Sequence, residues 1–454
     1  MFMPELLSPA GSLKNMHYAF AYGADAVYAG QPRYSLRVRN NEFNRENLAK
    51  GIQKAHTMGK RFYVVVNITP HNAKLKTFIH DLIPIIAMQP DALIMSDPGL
   101  IMLTKETFPD MEIHLSVQAN AVNWATVKFW QKIGLSRIIL SRELSIEEIA
   151  EIRQQVPDME LEIFVHGALC MAYSGRCLLS SYINKRDPNQ GTCTNACRWA
   201  YRVQEGKEDI IGNIVHHHQS IKMKNIQPAL DRGKPTDKVF LIEETRHPGE
   251  YMAAFEDEHG TYIMNSKDLR AIEHIERLTK IGVHSFKIEG RTKSFFYCAR
   301  TAQVYRRAID DAIAGKPFNP ILLTILEGLS HRGYTEGFLR RHTHDTYQTY
   351  EYGYSVSDSQ QFVGECTGKR KDDLAEIDVK NKFSVGDTLE LMTPTGNIKF
   401  TLNELFDKQI SAIQVAPGNG YKVYMPIPKE VNLQFALLIR NLVRTTTRNP
   451  YDIN

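Results

Sequence analysis

From residue 4 to about residue 311 the chain alternates short apolar runs, rich in β-branched residues, with segments whose apolar positions recur every three or four residues. The runs "ELLSPA", "AVYAG", "RFYVVVN", "ALIMSD", "IHLSVQ", "RIILSR", "LEIFVHG" and "SFKIEGR" predict strands, and the periodic segments 13–22, 45–58, 75–88, 121–133, 146–155 and 267–281 predict helices. Eight strands separated by helices predict an α/β fold, a parallel (β/α)8 TIM-like barrel. Polar or reactive residues follow the strand cores: Ser8, Gln31, Asn67, Asp97, Gln118, Arg142, His166 and Glu289. In a closed barrel these ring the C-terminal mouth, where active sites of this architecture lie, which favours a barrel over an open doubly wound sheet.

Two segments break the alternation. Between about residues 167 and 264 helical repeats are few, and "VHHHQS" and "DRGKPTDK" occur; such a long insertion is expected to sit over the mouth as a lid or cluster housing. Neighbouring side chains of an extended segment point to opposite faces, so His216, His217 and His218 make a poor single metal site. After the basic, tyrosine-rich stretch 331–360, residues 361–454 read as short strands punctuated by turns, a C-terminal small β-barrel domain. The expected organisation is thus a barrel domain over 1–330, a linker over 331–360 and a β domain over 361–454.

The 454 residues are 43% hydrophobic, enough for a full core without covalent staples, and carry a net charge of only +4, which permits an RNA partner without requiring one. The apolar runs are too short to span a membrane and the first residues lack the zones of a signal peptide, so a cytoplasmic location with no membrane partner is expected.

Six cysteines are too few for a disulfide scaffold. Cys298 and Cys366 stand alone and are expected in the core, whereas Cys170, Cys177, Cys193 and Cys197 cluster with six, fifteen and three residues between them. Four soft thiolates in so short a stretch can close around one metal centre. Zinc knuckles favour gaps of two to four residues, which only the second pair fits, and an iron-sulfur cluster accepts the wider spacing; both remain open. His166, four residues before Cys170, is a candidate general acid or base, a residue supporting the cluster, or a structural histidine.

"EIFVHGALCMAYSGRCLLSSY" resembles the signature of peptidase family U32, and the similarity continues through "ELLSPAGSLKNMHYAFAYGADAVYAG" and "HSFKIEGRTKSFFYCARTAQVYRRAID". With "YSLRVRNNEF", "NKRDPNQGTCTNACRWAY" and the appended β domain, the whole chain is similar to the RNA-hydroxylating branch of that family. The resemblance implies an oxygen-independent tRNA modification enzyme that converts wobble uridine 34 to 5-hydroxyuridine, with prephenate as hydroxyl donor. It also implies a [4Fe-4S] cluster on Cys170, Cys177, Cys193 and Cys197, the tRNA anticodon region as partner, and iron-sulfur assembly machinery as a further one. The alternatives are a ribosomal RNA base hydroxylase, a collagenase-like U32 peptidase and a zinc-stabilised RNA-binding protein. Neither an HExxH pair nor a GxSxG elbow supports proteolysis.

Under that resemblance, prephenate, a dicarboxylate, calls for guanidinium or ammonium groups. Arg37, Arg39, Arg142, Lys287 and Arg291 are the strand-end candidates, with Arg37 and Arg291 preferred. Glu289, between two cations, is a candidate proton carrier, and Asn67 and Gln118 are candidates to read the edges of a flipped uracil. Arg332, Arg340 and Arg341 among tyrosines, and Lys369, Arg370 and Lys371 in the β domain, are the RNA-binding candidates.

Overall fold

The computed structural model describes residues 2–31, 33–36, 41–169, 201–208, 214–216, 239–244, 251–257, 260–261, 267–331, 333–340 and 359–442. The first seven apolar runs form strands β1 (Glu5–Pro9), β2 (Ala26–Gly30), β3 (Arg61–Val66), β4 (Ala92–Met95), β5 (Ile113–Leu115), β6 (Arg137–Ile139) and β7 (Glu160–Ala168), each paired in parallel with the next. A five-stranded antiparallel sheet follows, made of β8 (Tyr201–Glu208), β9 (Ile214–His216), β10 (Val239–Glu244), β11 (Tyr251–Asp257) and β12 (Gly260–Thr261). The chain returns as β13 (Asp268–Arg270), antiparallel to the end of β7, and then as β14 (Ser285–Ile288). β14 pairs in parallel with both β7 and β1 and so closes an eight-stranded TIM-like barrel.

Alternation along each strand divides the apolar residues between two layers. Leu6, Val27, Val64 and Leu93 pack outward against the helices, while Leu7, Tyr28, Tyr63, Ile94, Ile139 and Phe164 fill the barrel interior.

The crossover helices are α1 (Leu13–Ala21), α2 (Arg45–Thr57), α3 (Asn72–Ile86), α4 (Pro98–Thr107), α5 (Trp124–Lys132) and α6 (Ile146–Gln155). Their starts follow from local chemistry. Asp97 accepts from Leu100 N ahead of Pro98, and Ser145 with Glu148 forms a capping box on α6. Each start therefore lies at the barrel mouth, because crossover helices run back from the C-terminal ends of the strands.

The expected helix over 267–281 is corrected. Only Ile275–Ile281 (α7) is an α-helix, because Asp268–Arg270 is drawn into pairing with the part of β7 that extends beyond the shorter β6. The long helix α8 (Phe295–Ile313) packs on α1 and α7, and a short helix α9 (Ile321–Glu327) precedes β15 (Tyr334–Thr335), which adds to β13.

The C-terminal domain is a six-stranded antiparallel sheet: β16 (Gln360–Lys371), β17 (Leu374–Val379), β19 (Thr388–Thr393), β20 (Gly396–Thr401), β22 (Lys422–Pro426) and β23 (Leu437–Asn441). A two-stranded ribbon, β18 (Phe383–Ser384) with β21 (Val415–Ala416), accompanies it. The domain has its own apolar core, including Val363, Ile377, Leu389 and Leu438, and seats on α1 and α8. There Tyr18 Oη donates to Glu365 at 2.7 Å, Phe296 stacks on Phe362 at 5.0 Å, and fully buried Arg300 donates to Glu390 at 3.0 Å.

Candidate active site

The barrel interior is not purely apolar. Glu5 and Arg137 open β1 and β6 on the inward face and meet at 2.6 Å; Arg137 also reaches Glu162 at 3.2 Å. Glu162 in turn accepts from Lys287 Nζ at 2.8 Å. Four charges thus alternate in sign from the bottom of the barrel towards its mouth; Arg137, Glu162 and Lys287 are buried and Glu5 nearly so. Burial pushes the Glu5 carboxyl up, yet Arg137, Tyr63 and Arg61 together hold it below the ordinary range. Burial lowers the Lys287 ammonium, and Glu162 offsets part of that shift.

Lys287 ends this chain beneath the mouth, 4.4 Å from the centre of the Tyr28 ring and 5.5 Å from that of Phe164. Two guanidinium groups lie above the same two rings. Arg142 stacks on Phe164 at 4.0 Å and donates to Ala168 O at 2.6 Å, and its buried Nε has no hydrogen-bond partner among the described residues. Arg291 lies 5.8 Å from Tyr28 and donates to Ser35 Oγ at 2.6 Å. Gly30 makes that pair possible, since a Cβ there would stand 2.6 Å from both the Arg291 guanidinium and Ser35 Oγ. The structure therefore brings three of the expected cations, Arg142, Lys287 and Arg291, around one aromatic floor.

The ends of β3 and β5 contribute amides to the same mouth. Asn67 Nδ2 donates to Gln118 Oε1 at 2.9 Å and to Ser116 Oγ at 3.2 Å, while Asn67 Oδ1 accepts from Leu36 N. Ser116 also bonds Gln118. Two other residues of the expected ring serve the backbone: Gln31 Oε1 accepts from Arg33 N and Tyr34 N, and Asp97 caps α4.

His166 occupies a different layer from the mouth. A register shift in the β7–β14 pairing sets it opposite the outward-facing Ile288, and its ring is enclosed by Tyr297, Tyr305 and Tyr334 at 5.9, 5.4 and 5.5 Å. Burial, with Arg270, Lys293 and His331, drives its pKa down to about 3, so the imidazole is neutral. Its carbonyl accepts from Glu289 N at 2.8 Å, which positions Glu289 at the end of β14. Gly167, at φ +104, allows this approach, for a Cβ there would lie 2.5 Å from Glu289 O. Glu289 is partly exposed and close enough to Tyr28 to help raise that hydroxyl's pKa.

Arg37, Arg39, Cys170, Cys177, Cys193, Cys197, Arg332 and Arg341 lie outside the described residues. The chain leaves the mouth end of β7 at Ala168, two residues before Cys170. Among the described residues no group of three or more potential ligands surrounds a metal position, and Cys298 and Cys366 are buried thiols pushed up to about 12, unsuited to act as nucleophiles. Arg340 pairs with Glu336 at 2.9 Å. Arg370 is committed to the carbonyls of Ile427, Pro428 and Val431, and Lys371 to that of Lys408, which leaves Lys369 as the exposed cation of that knot without such a bond shown.

Glu162, Arg137, Tyr28, Ser35 and Phe164 were not singled out by the pattern of residue types. The available signal was a charged residue inside an otherwise apolar strand, Glu162 in "LEIFV" and Lys287 in "SFKI", at inward-facing positions.

Among the described residues no helix is long and apolar enough to cross a membrane. The description "Peptidase family U32" matches residues 11–349 and "Peptidase family U32 C-terminal domain" matches residues 358–440. The chain is 76% identical to tRNA hydroxylation protein P of Escherichia coli (strain K12), covering 99% of this chain and 100% of that protein. It is 70% identical to the protein of the same name from Haemophilus influenzae, over 99% of each chain. With tRNA hydroxylation protein P1 of Bacillus subtilis (strain 168) the identity is 32%, over 91% of this chain and 89% of that one. Both domains and nearly the full length are thus matched, and the chain belongs to peptidase family U32.

Proposed function

We propose that the protein hydroxylates tRNA, converting wobble uridine 34 to 5-hydroxyuridine with prephenate as hydroxyl donor. The observation that carries this reading is the mouth of the closed barrel, where Arg142 and Arg291 flank an aromatic floor and share the mouth with the amides of Asn67 and Gln118. Guanidinium groups suit a dicarboxylate, and paired amides suit the carbonyl and imide edges of a base lifted from its stack. The names of the similar proteins, extending over the full chain, support tRNA as the substrate.

In this account Arg291, held by Ser35, and Arg142, held by Ala168 O, receive the carboxylates. Lys287 adds positive potential from below, with its charge stabilised by Glu162. Glu289, held at the end of β14 by the His166 carbonyl, is the residue assigned to take a proton, and neutral His166 is a positioning residue that acts through that carbonyl.

Cys170, Cys177, Cys193 and Cys197 would hold a [4Fe-4S] cluster; as four soft thiols close together in sequence, they suit such a group in donor type and number. When bound, the cluster supplies redox-active iron. The protein's own residues bind the anionic donor, orient the base and hold the proton.

The test is anaerobic purification with iron, sulfide and zinc analysis, followed by mass spectrometry of nucleosides from unmodified tRNA incubated with and without prephenate. Iron and sulfide at about four each per chain, with 5-hydroxyuridine only when prephenate is present, is the expected result. Zinc in place of iron, or no modified uridine from a cluster-loaded protein, contradicts it.

A further inference from the structure

The geometry points to an RNA-stacking platform on the rim of the barrel mouth, formed by Trp124 and Lys128 at the start of α5, which takes an unpaired nucleotide of the substrate RNA. It rests on the RNA-hydroxylase reading above.

Topology sets the platform at the mouth. β5 ends in a short 3-10 turn, Val117–Ala119, that carries Gln118; Asn120 then reverses the chain in the left-handed region at φ 52. Ala121 O accepts from Ser141 N at 3.1 Å, which ties the segment to the end of β6 beside Arg142. The chain next emerges into solvent, where residues 122–125 are all exposed. Trp124 thus stands on the rim just outside two side chains of the candidate site, Gln118 and Arg142.

Its chemistry is that of a contact surface. α5 contributes Val127 and Trp130 to the core, so the fold does not depend on Trp124, which remains 39% exposed next to 38%-exposed Val122. One helical turn on, Lys128 holds its ammonium 4.9 Å from the Trp124 ring centre. The only charged residues of α5 are Lys128 and Lys132. A large exposed aromatic beside a cation, with no carboxylate on its own helix, complements a base and its phosphate.

Binding of unmodified tRNA to the full-length, cluster-loaded protein tests the assignment. Trp124→Ala is expected to weaken binding about 5- to 150-fold, the range for loss of one stacked base, while Trp124→Phe retains most of it. The KM for prephenate and the melting temperature stay at their wild-type values. Lys128→Gln is expected to reduce the slope of log affinity against log salt by about one. In the unaltered protein, RNA carrying 4-thiouridine near the wobble position should crosslink to the peptide spanning residues 122–132, a readout independent of any variant's folding. Trp124→Ala binding within about twofold of wild type, or crosslinks confined to other peptides, overturns the platform. Trp124-dependent binding without hydroxylation by the wild type would sink the enzymatic reading and leave the platform standing; hydroxylation and binding indifferent to Trp124 would do the reverse.

Discussion

Glu162 and Lys287 face each other at 2.8 Å inside the barrel, neither more than 2% exposed, on adjacent strands β7 and β14. Together with Arg137 and Glu5 they carry charge from the N-terminal end of the barrel strands to the floor of its mouth. Glu162→Gln leaves Lys287 buried without its counter-charge. That single change should cost about 3–5 kcal/mol of stability, read from denaturant midpoints, whereas the double change Glu162→Gln with Lys287→Met should recover much of the loss. Equal destabilisation by the single and double variants would show that the pair is not coupled.

Arg291 is set by Ser35 and by the missing side chain of Gly30. Arg291→Ala should raise the KM for prephenate roughly 10- to 100-fold, the worth of a charge-assisted hydrogen bond, with tRNA affinity unchanged. Gly30→Ala should raise the same KM by displacing the guanidinium while leaving Arg291 in the chain. A loss confined to tRNA binding would assign Arg291 to phosphate instead.

His166 is neutral in the folded protein, at a pKa of about 3 against an ordinary 6.5. The unfolded chain therefore binds more protons below pH 6.5, and the stability this site contributes is fully present above that pH. It is lost as the pH falls from about 6.5 towards about 3, at about 1.4 kcal/mol per pH unit. His166→Phe should flatten that part of the stability profile. No activity limb near neutrality should disappear with it, and the loss of one would restore His166 as a proton carrier.

The eight strands were legible because each apolar run is short and the first six are each followed by a helical period. The mouth was legible for the same reason, since a polar residue after each strand marks its C-terminal end. What could not be read was depth. His166 and Arg142 both follow apolar strands, but the irregular β7–β14 register turns His166 into the outer layer, and a register shift leaves no local mark in residue types. The segment 267–281 has helical spacing throughout, yet its first residues pair with β7, an outcome set by strand lengths elsewhere. The carbonyl partners of Arg370 likewise leave no local mark, since they come from 57 to 61 residues away.

Arg300 and Glu390 join α8 to the C-terminal sheet at 3.0 Å, with Gln360 and Asn397 also donating to Glu390. Glu390→Ala leaves a buried guanidinium unpaired and should cost about 3–5 kcal/mol, with faster proteolysis between the two domains. Unchanged proteolysis and melting would show that the remaining contacts hold the interface without this pair.

The origin of the hydroxyl group is tested by following its oxygen atom. Unmodified tRNA is incubated without oxygen with the cluster-loaded protein and prephenate carrying an oxygen isotope in its ring hydroxyl, and the nucleosides are analysed by mass spectrometry. The label is expected in 5-hydroxyuridine at the wobble position. Unlabelled 5-hydroxyuridine, or none from a protein shown to contain iron and sulfide, contradicts it.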